Sequence, residues 1–557
     1  MKSVPLGPQY REATLQRLAD TEFDVLVIGG GIVGAGAALD AISRGLSVAL
    51  VEARDWASGT SSRSSKLIHG GLRYLEQRDF GLVREALRER SLLLTRLAPH
   101  LVRPVPFLYP LRHRLWERCY VGAGVTLYDT MGGSRVMPRH RQLTRSGALR
   151  EAPALHPDAL VGAIQYYDAQ VDDARYTMMV ARTAAHYGAC VATRAEVTGF
   201  LREGERVTGA SVLDAESGRT IDVRARRVVN ATGVWTDGVG RMTGTRTPFS
   251  VRASKGVHLL VRRDRIPLNT GLITRTAKSV LFVIPWGRHW IIGTTDTPWD
   301  RDPDAPVADE ADVDYLLDEV NTLLRIPLTR EDVVGVYAGL RPLLSGETDD
   351  TTRLSREHTV AEPVPGLVVV SGGKFTTYRV MAKDAVDVAA EGLEASVPAS
   401  VTARLPILGA VGFEVLWNER RRLAADSGLH VARVEHLLKR YGACTPELLG
   451  LIDRDPSLGE PIEGAPDYLR AEAVYAVTHE GALHLEDVLS RRMRVTMEER
   501  DGGRAACHHV AELIAPYLGW DTTDLTGEID RYLRYVQAER GDDDLASGDP
   551  AICPAPA

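Results

Sequence analysis

The most definite chemistry in this chain sits near its N-terminus, in Gly29-Gly30-Gly31-Ile32-Val33-Gly34. A glycine at position 29 allows a tight turn, one at 31 lets the backbone approach a pyrophosphate, and one at 34 permits close packing of a helix on a strand. A helix opening there offers free N–H groups and partial positive charge to phosphates. Glu52 ends the next apolar run, where a carboxylate can bind ribose hydroxyls. A glycine turn in an unrelated α/β protein has no need of that acid at that place. Two other groupings do not hold up as sites. Gly372-Gly373-Lys374 fails as a P-loop, because Val368 stands where the first glycine belongs and Phe375 where Ser or Thr should follow. Cys507-His508-His509 fails as a metal site, because neighbours on a helix point in different directions and seldom converge on one ion.

The elements that must position these residues follow from hydrophobic patterning. Phe23–Ile28 is an apolar run that stops at glycine, a helical pattern continues to about Arg44, and Ser47–Val51 is a second run. Strand, turn, helix and strand make the opening unit of a dinucleotide fold. Residues 81–98 read as a charged amphipathic helix. Short β-type runs between Val197 and Val229, separated by turn signals, read as a β-meander inserted in the main fold. They close on Asn230-Ala231-Thr232-Gly233, a second glycine-ended strand, and Leu367–Val370 leads into a third at Gly372-Gly373. The first unit alone does not choose between FAD and NAD. Distant glycine-ended strands returning to one cofactor, with a meander between them, fit a flavoprotein better.

At 557 residues the chain should form two or three packing units. Its 44% apolar and 25% charged residues are those of an ordinary globular protein, and a net charge of −7 argues against a general nucleic-acid binder. Five scattered cysteines without a CxxC pair suit free thiols in a reducing compartment. The charged segment Met1 to Glu22 does not read as a signal peptide, and no apolar stretch approaches the roughly 20 residues of a spanning helix. The expectation is a cytoplasmic protein, or one lying on a membrane without crossing it. The expected organisation is an N-terminal extension (1–20), an α/β FAD domain with an inserted β-rich substrate domain (21–400), an all-helical C-terminal cap (405–540) and a disordered tail (541–557).

Several longer blocks carry a family resemblance. Thr60-Ser61-Ser62-Arg63-Ser64-Ser65-Lys66-Leu67-Ile68-His69-Gly70-Gly71-Leu72-Arg73-Tyr74 resembles the block after the second strand in FAD-dependent glycerol-3-phosphate dehydrogenases. Val171–Arg175, Gly293–Asp296, Gly339–Leu343 and Gly373–Arg379 are similar to further blocks of that family, and His479–Ala482 and Leu489–Arg492 to its cap. The matches run in order from about residue 22 to 520 and are more specific together than any glycine motif.

The resemblance implies oxidation of sn-glycerol 3-phosphate to dihydroxyacetone phosphate, with hydride passing to flavin N5 and electrons onward to a membrane quinone. It places Arg73, Tyr74, His258, Arg341 and Lys374 at the substrate, with Thr376 nearby. Fixed cations suit a phosphomonoester, arginine as a bidentate partner and lysine as a point charge. Arg341, His258 and Lys374 are the catalytic candidates. His258 has the ordinary pKa for a base near neutrality, and Arg341 with a water molecule is the alternative. Ser61, Ser62, Lys66, Leu67 and His69 should pass close to the flavin, joining Gly29, Gly31, Gly34, Glu52, Gly233, Gly373 and Lys374 around the cofactor. Asp172 and Asp173 read as helix N-caps, not as a catalytic pair.

Aromatic and basic residues alternate in Leu101–Tyr120, as an interfacial segment on anionic lipid would have them, and a quinone acceptor requires such contact. A loop packed on the flavin domain is the competing reading. The cap could mediate a homodimer or close the cleft, and nothing in its residues decides. An oxidase delivering electrons to dioxygen, an amine or amino-acid oxidase of the same fold, and a non-catalytic nucleotide-binding scaffold remain as rivals.

Overall fold

The computed structural model describes residues 3–71, 79–113, 116–131, 137–244, 249–276, 280–344, 358–394 and 396–540. The opening apolar run is the strand Glu22–Ile28, the helix Ile32–Ser43 follows the glycine turn directly, and Val48–Val51 is the next strand. Val25, Leu26 and Val27 are all fully buried, so this strand is covered on both faces, as parallel strands are. The sheet runs in the order His358–Val364, Leu367–Gly372, Thr220–Asn230, Glu22–Ile28, Val48–Val51, Cys190–Ala192. Leu367–Gly372, Thr220–Asn230, Glu22–Ile28 and Val48–Val51 are mutually parallel. Their C-terminal ends therefore share one edge, where a doubly wound sheet binds its ligand. The three glycine-ended strands expected to converge lie side by side at that edge.

The meander lies between the halves of the fold in sequence and is continuous with the dinucleotide sheet. Arg206–Asp214 pairs antiparallel with the first half of Thr220–Asn230, from Thr220 to Arg224. The second half of the same strand runs parallel to Glu22–Ile28, from Arg224 to Asn230. One long strand thus belongs to both, and the meander extends the dinucleotide sheet.

A separate ten-stranded sheet forms the second lobe of this domain. At its heart Val251–Arg262 pairs antiparallel with both Val333–Leu344 and His289–Gly293. Its other half is built on Val102–Leu111 and Gly162–Val171. The segment expected to be interfacial begins instead as an interior strand, with Phe107 and Leu111 fully buried. Pro104, Pro106 and Pro110 fall at alternate positions of that strand, so their missing N–H groups lie on one side of it. Arg103, Pro104, Arg112 and His113 are exposed, but the exposed aromatics lie on the following helix, Trp116–Met131, with Trp116 61% and Tyr120 53% exposed.

Residues 405–540 form a helical cap that includes one two-stranded ribbon, Pro461–Ile462 with Ala465–Leu469. Within it Cys507 is buried in the cap core, and His509 Nδ1 accepts from the Glu463 N–H. The segment before the first strand is docked against both parts. Pro8–Asp20 is a helix, Ser3 donates to Glu447 of the cap, and Arg11 pairs with Asp214 of the meander at 2.5 Å. Residues 541–557, read as a disordered tail, lie outside the described residues.

Candidate active site

Between the two sheets lies a cavity of about 1390 Å³. That exceeds the roughly 300–1,000 Å³ of a typical small-ligand site. One end is built from backbone. Gly29 adopts φ +109°, open to glycine and costly for other residues. A Cβ on Gly34 would stand 1.9 Å from the Gly29 carbonyl oxygen, and one on Gly30 would meet Trp56 and Glu52 at 2.7 and 2.8 Å. Gly29, Gly31, Glu52, Ser61, Gly233 and Gly373 line the cavity, while Gly34 packs behind the turn. Glu52 accepts from the N–H groups of Gly30 and Arg54 at 2.5 and 2.8 Å, and burial raises its pKa. Ser61 Oγ accepts from the Ile32 N–H at 3.0 Å, at the start of the helix. A helix N-terminus reached by a side-chain-free turn fits a pyrophosphate, and Glu52 fits the adjoining ribose.

The other end is built from side chains. His258 comes from the strand Val251–Arg262 and is buried. Its Nε2 lies 2.8 Å from Ser65 Oγ, and its ring stacks on Tyr337 with centroids 4.8 Å apart. Burial, Arg341 and Lys66 together hold its pKa well below the ordinary histidine value. A neutral imidazole at physiological pH is the form a base requires. Across the same sheet, Arg341 donates to Thr294 Oγ1 at 2.9 Å and to the Thr295 carbonyl at 3.2 Å, with Asp296 3.6 Å from its guanidinium. These contacts aim the guanidinium over Gly256, whose Cβ, if present, would stand 2.3 Å from Arg341 Nη2. Lys374 and Thr376 line the cavity from the turn after Leu367–Gly372, and the Thr376 hydroxyl bridges the N–H and C=O of His69.

Most of the sequence-derived candidates thus meet in one cavity: His258, Arg341, Lys374, Thr376, Ser61, Leu67 and His69 all line it. Ser62 and Lys66 do not. The Ser62 hydroxyl turns back to the Gly59 carbonyl at 3.4 Å, and Lys66 is buried under the floor, bonded to Asp173 at 3.1 Å and to the Ser62 carbonyl at 3.0 Å. Burial lowers the Lys66 pKa to about 8. Arg73 and Tyr74 lie outside the described residues. Asp172 caps the helix Asp173–His186 by accepting from the Arg175 N–H, whereas Asp173 turns its carboxylate to Ser64 and Lys66.

Some contributors escaped the sequence reading. Ser65 and Tyr337 flank His258 directly. Behind Gly70, Tyr128 OH accepts from its N–H at 2.7 Å and donates to Asp168, which Arg90 also binds. The close approach of Leu87 and Tyr128 leaves no room for a side chain at Gly70. Only Ser65 had a signal, as part of the quoted serine-rich block; the others are assembled by pairing across the fold.

Comparison with known proteins agrees with this architecture. Residues 24–388 match the model of the FAD-dependent oxidoreductase family, and residues 400–525 that of the C-terminal domain of alpha-glycerophosphate oxidase. A glycerol-3-phosphate dehydrogenase of Mycobacterium leprae is 57% identical over 534 residues, spanning 96% of this chain and 91% of that protein. The chain belongs to the FAD-dependent glycerol-3-phosphate dehydrogenase family. Its cofactor is FAD. The mitochondrial glycerol-3-phosphate dehydrogenase of Mus musculus, another relative, is 38% identical over 96% of this chain and 76% of its own length. The crystal structure of the family member from Bacillus halodurans, complexed with FAD, superposes with a TM-score of 0.79 at 28% identity, covering 98% of this chain and 100% of that one. With 98% of this chain covered, that alignment takes in the C-terminal cap as well as the FAD domain.

Proposed function

We propose that this chain oxidises sn-glycerol 3-phosphate to dihydroxyacetone phosphate and passes the electrons to a membrane quinone. The observation that carries the reading is the convergence of His258, Arg341 and Lys374 in the cavity beyond the glycine turn. Bound FAD supplies the two-electron acceptor for the hydride of the substrate C2 carbon. Gly29, Gly31, Ser61 and the first turn of Ile32–Ser43 would hold its pyrophosphate, and Glu52 its ribose, with Gly233 and Gly373 along the wall. Arg341 and Lys374, with Arg73 and Tyr74 by resemblance, bind the phosphate dianion and orient the C2 hydroxyl. His258 takes the hydroxyl proton, and its neutral form is ready to do so without prior deprotonation. Thr376 fixes the His69 backbone at the cavity wall.

The acceptor reading draws on one wall of the cavity. Tyr120, Gly124 and Leu127 line it from the helix Trp116–Met131, with Phe80 beside them. On the same helix Trp116, Tyr120 and Leu127 recur at helical spacing and are exposed, which suits an apolar acceptor and contact with a lipid surface. No helix among the described residues is long and apolar enough to cross a membrane.

Anaerobic mixing with sn-glycerol 3-phosphate tests the substrate: the visible flavin band should bleach, and should not bleach with glycerol or amino acids. A flavin that stays oxidised removes the substrate assignment. Comparing hydrogen peroxide yield in air with reduction of a quinone analogue tests the acceptor; peroxide in proportion to substrate would favour the oxidase instead. Liposome flotation tests the surface: Trp116→Ser with Tyr120→Ser should release the protein from vesicles, and wild type found unbound would sink the membrane reading.

A further inference from the structure

The loop that carries Ser65 has little regular structure of its own to hold it. A short 3-10 turn, Thr60–Ser62, precedes it, and Lys66 sits at φ +57°, a left-handed conformation that costs a side-chain-bearing residue energy. What holds it is a buried carboxylate. Asp173 accepts from the Ser64 N–H at 2.9 Å, from the Ser64 hydroxyl at 2.6 Å and from Lys66 Nζ at 3.1 Å. The opposite end of the Ser64 peptide is held too, its carbonyl accepting from Tyr337 OH at 3.0 Å. Tyr337 is the ring stacked on His258, and Ser65 is the hydroxyl at His258 Nε2. Ser64 is therefore the hub from which both contacts of the His258 ring are set.

The carboxylate itself is held from the cap. Arg494, buried and 321 residues away in sequence, donates through Nη2 to both Asp172 and Asp173 and reaches the Ser62 carbonyl through Nη1 at 3.4 Å. Its position is fixed within the cap, where its own N–H donates to Tyr468 OH at 3.1 Å. Arg494 does not line the cavity. Without it, the buried carboxylate of Asp173 and the half-buried one of Asp172 would face Lys66 and Arg440, and Asp173 would be drawn toward Lys66 at the expense of Ser64.

We propose that Arg494 of the cap is a positioning residue for His258, acting through Asp173 and the Ser64–Ser65 peptide. The cap thereby takes part in the chemistry while remaining outside the cavity. This rests on His258 being the base, and a double-mutant cycle separates the two claims. Single-turnover flavin reduction by sn-glycerol 3-phosphate is measured in wild type, Arg494→Met, His258→Ala and the double variant. Arg494→Met should slow reduction by roughly ten- to a hundredfold, a part of the 10²–10⁴ a positioned base contributes. The melting temperature should fall, because the carboxylates lose their buried cation, but flavin content and substrate Kd of the folded protein should stay near wild type, which a general loss of the site would not allow. In the His258→Ala background the same substitution should cost nothing further.

An undiminished rate in Arg494→Met, or an equal fold-loss in both backgrounds, overturns the proposal and leaves His258 as base intact. A wild-type rate in His258→Ala removes the base and the proposal together. Should Arg494→Met not yield a folded flavoprotein, Arg494→Lys and Asp173→Asn are carried through the same cycle. The lysine keeps the charge and loses the fork, so a smaller loss, again absent without His258, is expected.

Discussion

The two ends of the cavity are made of different materials. At the dinucleotide end the recognising groups are backbone: a glycine turn, a helix N-terminus and one carboxylate that itself binds two backbone N–H groups. At the reacting end they are side chains from three separate strands and turns, His258, Arg341 and Lys374, and the first two are each held by a partner from elsewhere in the chain. A backbone site is specified by what is missing, since glycines leave the approach open, and its residues lie close in sequence. A side-chain site is specified by what supports it, and its supports reach as far as the cap. The first should fail all at once when space is filled, the second by degrees as supports are removed.

Filling space should have the largest effect. Gly34→Val puts branched carbon where even a Cβ would lie 1.9 Å from a carbonyl oxygen, so the purified protein should be colourless and not reconstitute with FAD. A yellow Gly34→Val protein would break the contrast at its root. Next comes His258→Ala, which should slow flavin reduction by about 10²–10⁴ with the flavin still bound. Because its pKa is held well below the ordinary value, the wild-type reduction rate should show no histidine limb near pH 6.5. The rate should fall only when the pH drops to that lower pKa and the base becomes protonated. A limb at 6.5 that disappears in His258→Ala would mean the ring is far less desolvated than its packing implies. Arg341→Ala should then cost roughly 30- to 5,000-fold in kcat/KM, the weight of roughly 2–5 kcal/mol for a desolvated charge pair with phosphate. The loss should be mostly in substrate binding. Equal activity on glycerol and glycerol 3-phosphate in wild type would remove Arg341 from phosphate recognition.

The same contrast explains what could be read in advance. Gly29, Gly34 and Glu52 act within one strand-turn-helix-strand unit, so spacing alone exposes them. Arg341 and Lys374 surface only through blocks that resemble a family, and His258 only as a position that resemblance implies, because nothing local marks a lysine or histidine as aimed inward. Ser62 and Lys66 show the limit of that transfer: they lie in a matched block, yet their side chains face Gly59 and Asp173 and not the cavity. Tyr337 and Arg494 had no legible signal, and Asp173 reads only as a helix N-cap within a matched block, since their roles arise where remote segments pack. The strand Val102–Leu111 was hidden for a different reason. Its alternating prolines argue against a ladder partner, and only the one-sided arrangement in the sheet makes them tolerable.

The smallest expected effect concerns how firmly the cap is seated. His484 lies between Glu528 of the cap helix Thr522–Arg540 and Glu216 of the meander, 2.9 Å from each. These two carboxylates outweigh burial and raise its pKa to about 9. The folded value thus exceeds the unfolded one near 6.5, so the folded protein binds more protons between these limits. The stability from this staple is complete below about pH 6.5 and is lost as pH rises through about 9. Because Glu216 is 35% exposed and Arg531 stands beside the ring, its contribution should be modest. His484→Gln should lower the melting temperature slightly at pH 6 and leave it unchanged at pH 9.5, with flavin still bound at both. If the variant loses the same increment at both pH values, the ring holds the cap by packing and not by charge. The seating of the cap would then be independent of pH, and the reacting end would depend on the cap through Arg494 alone among these two contacts.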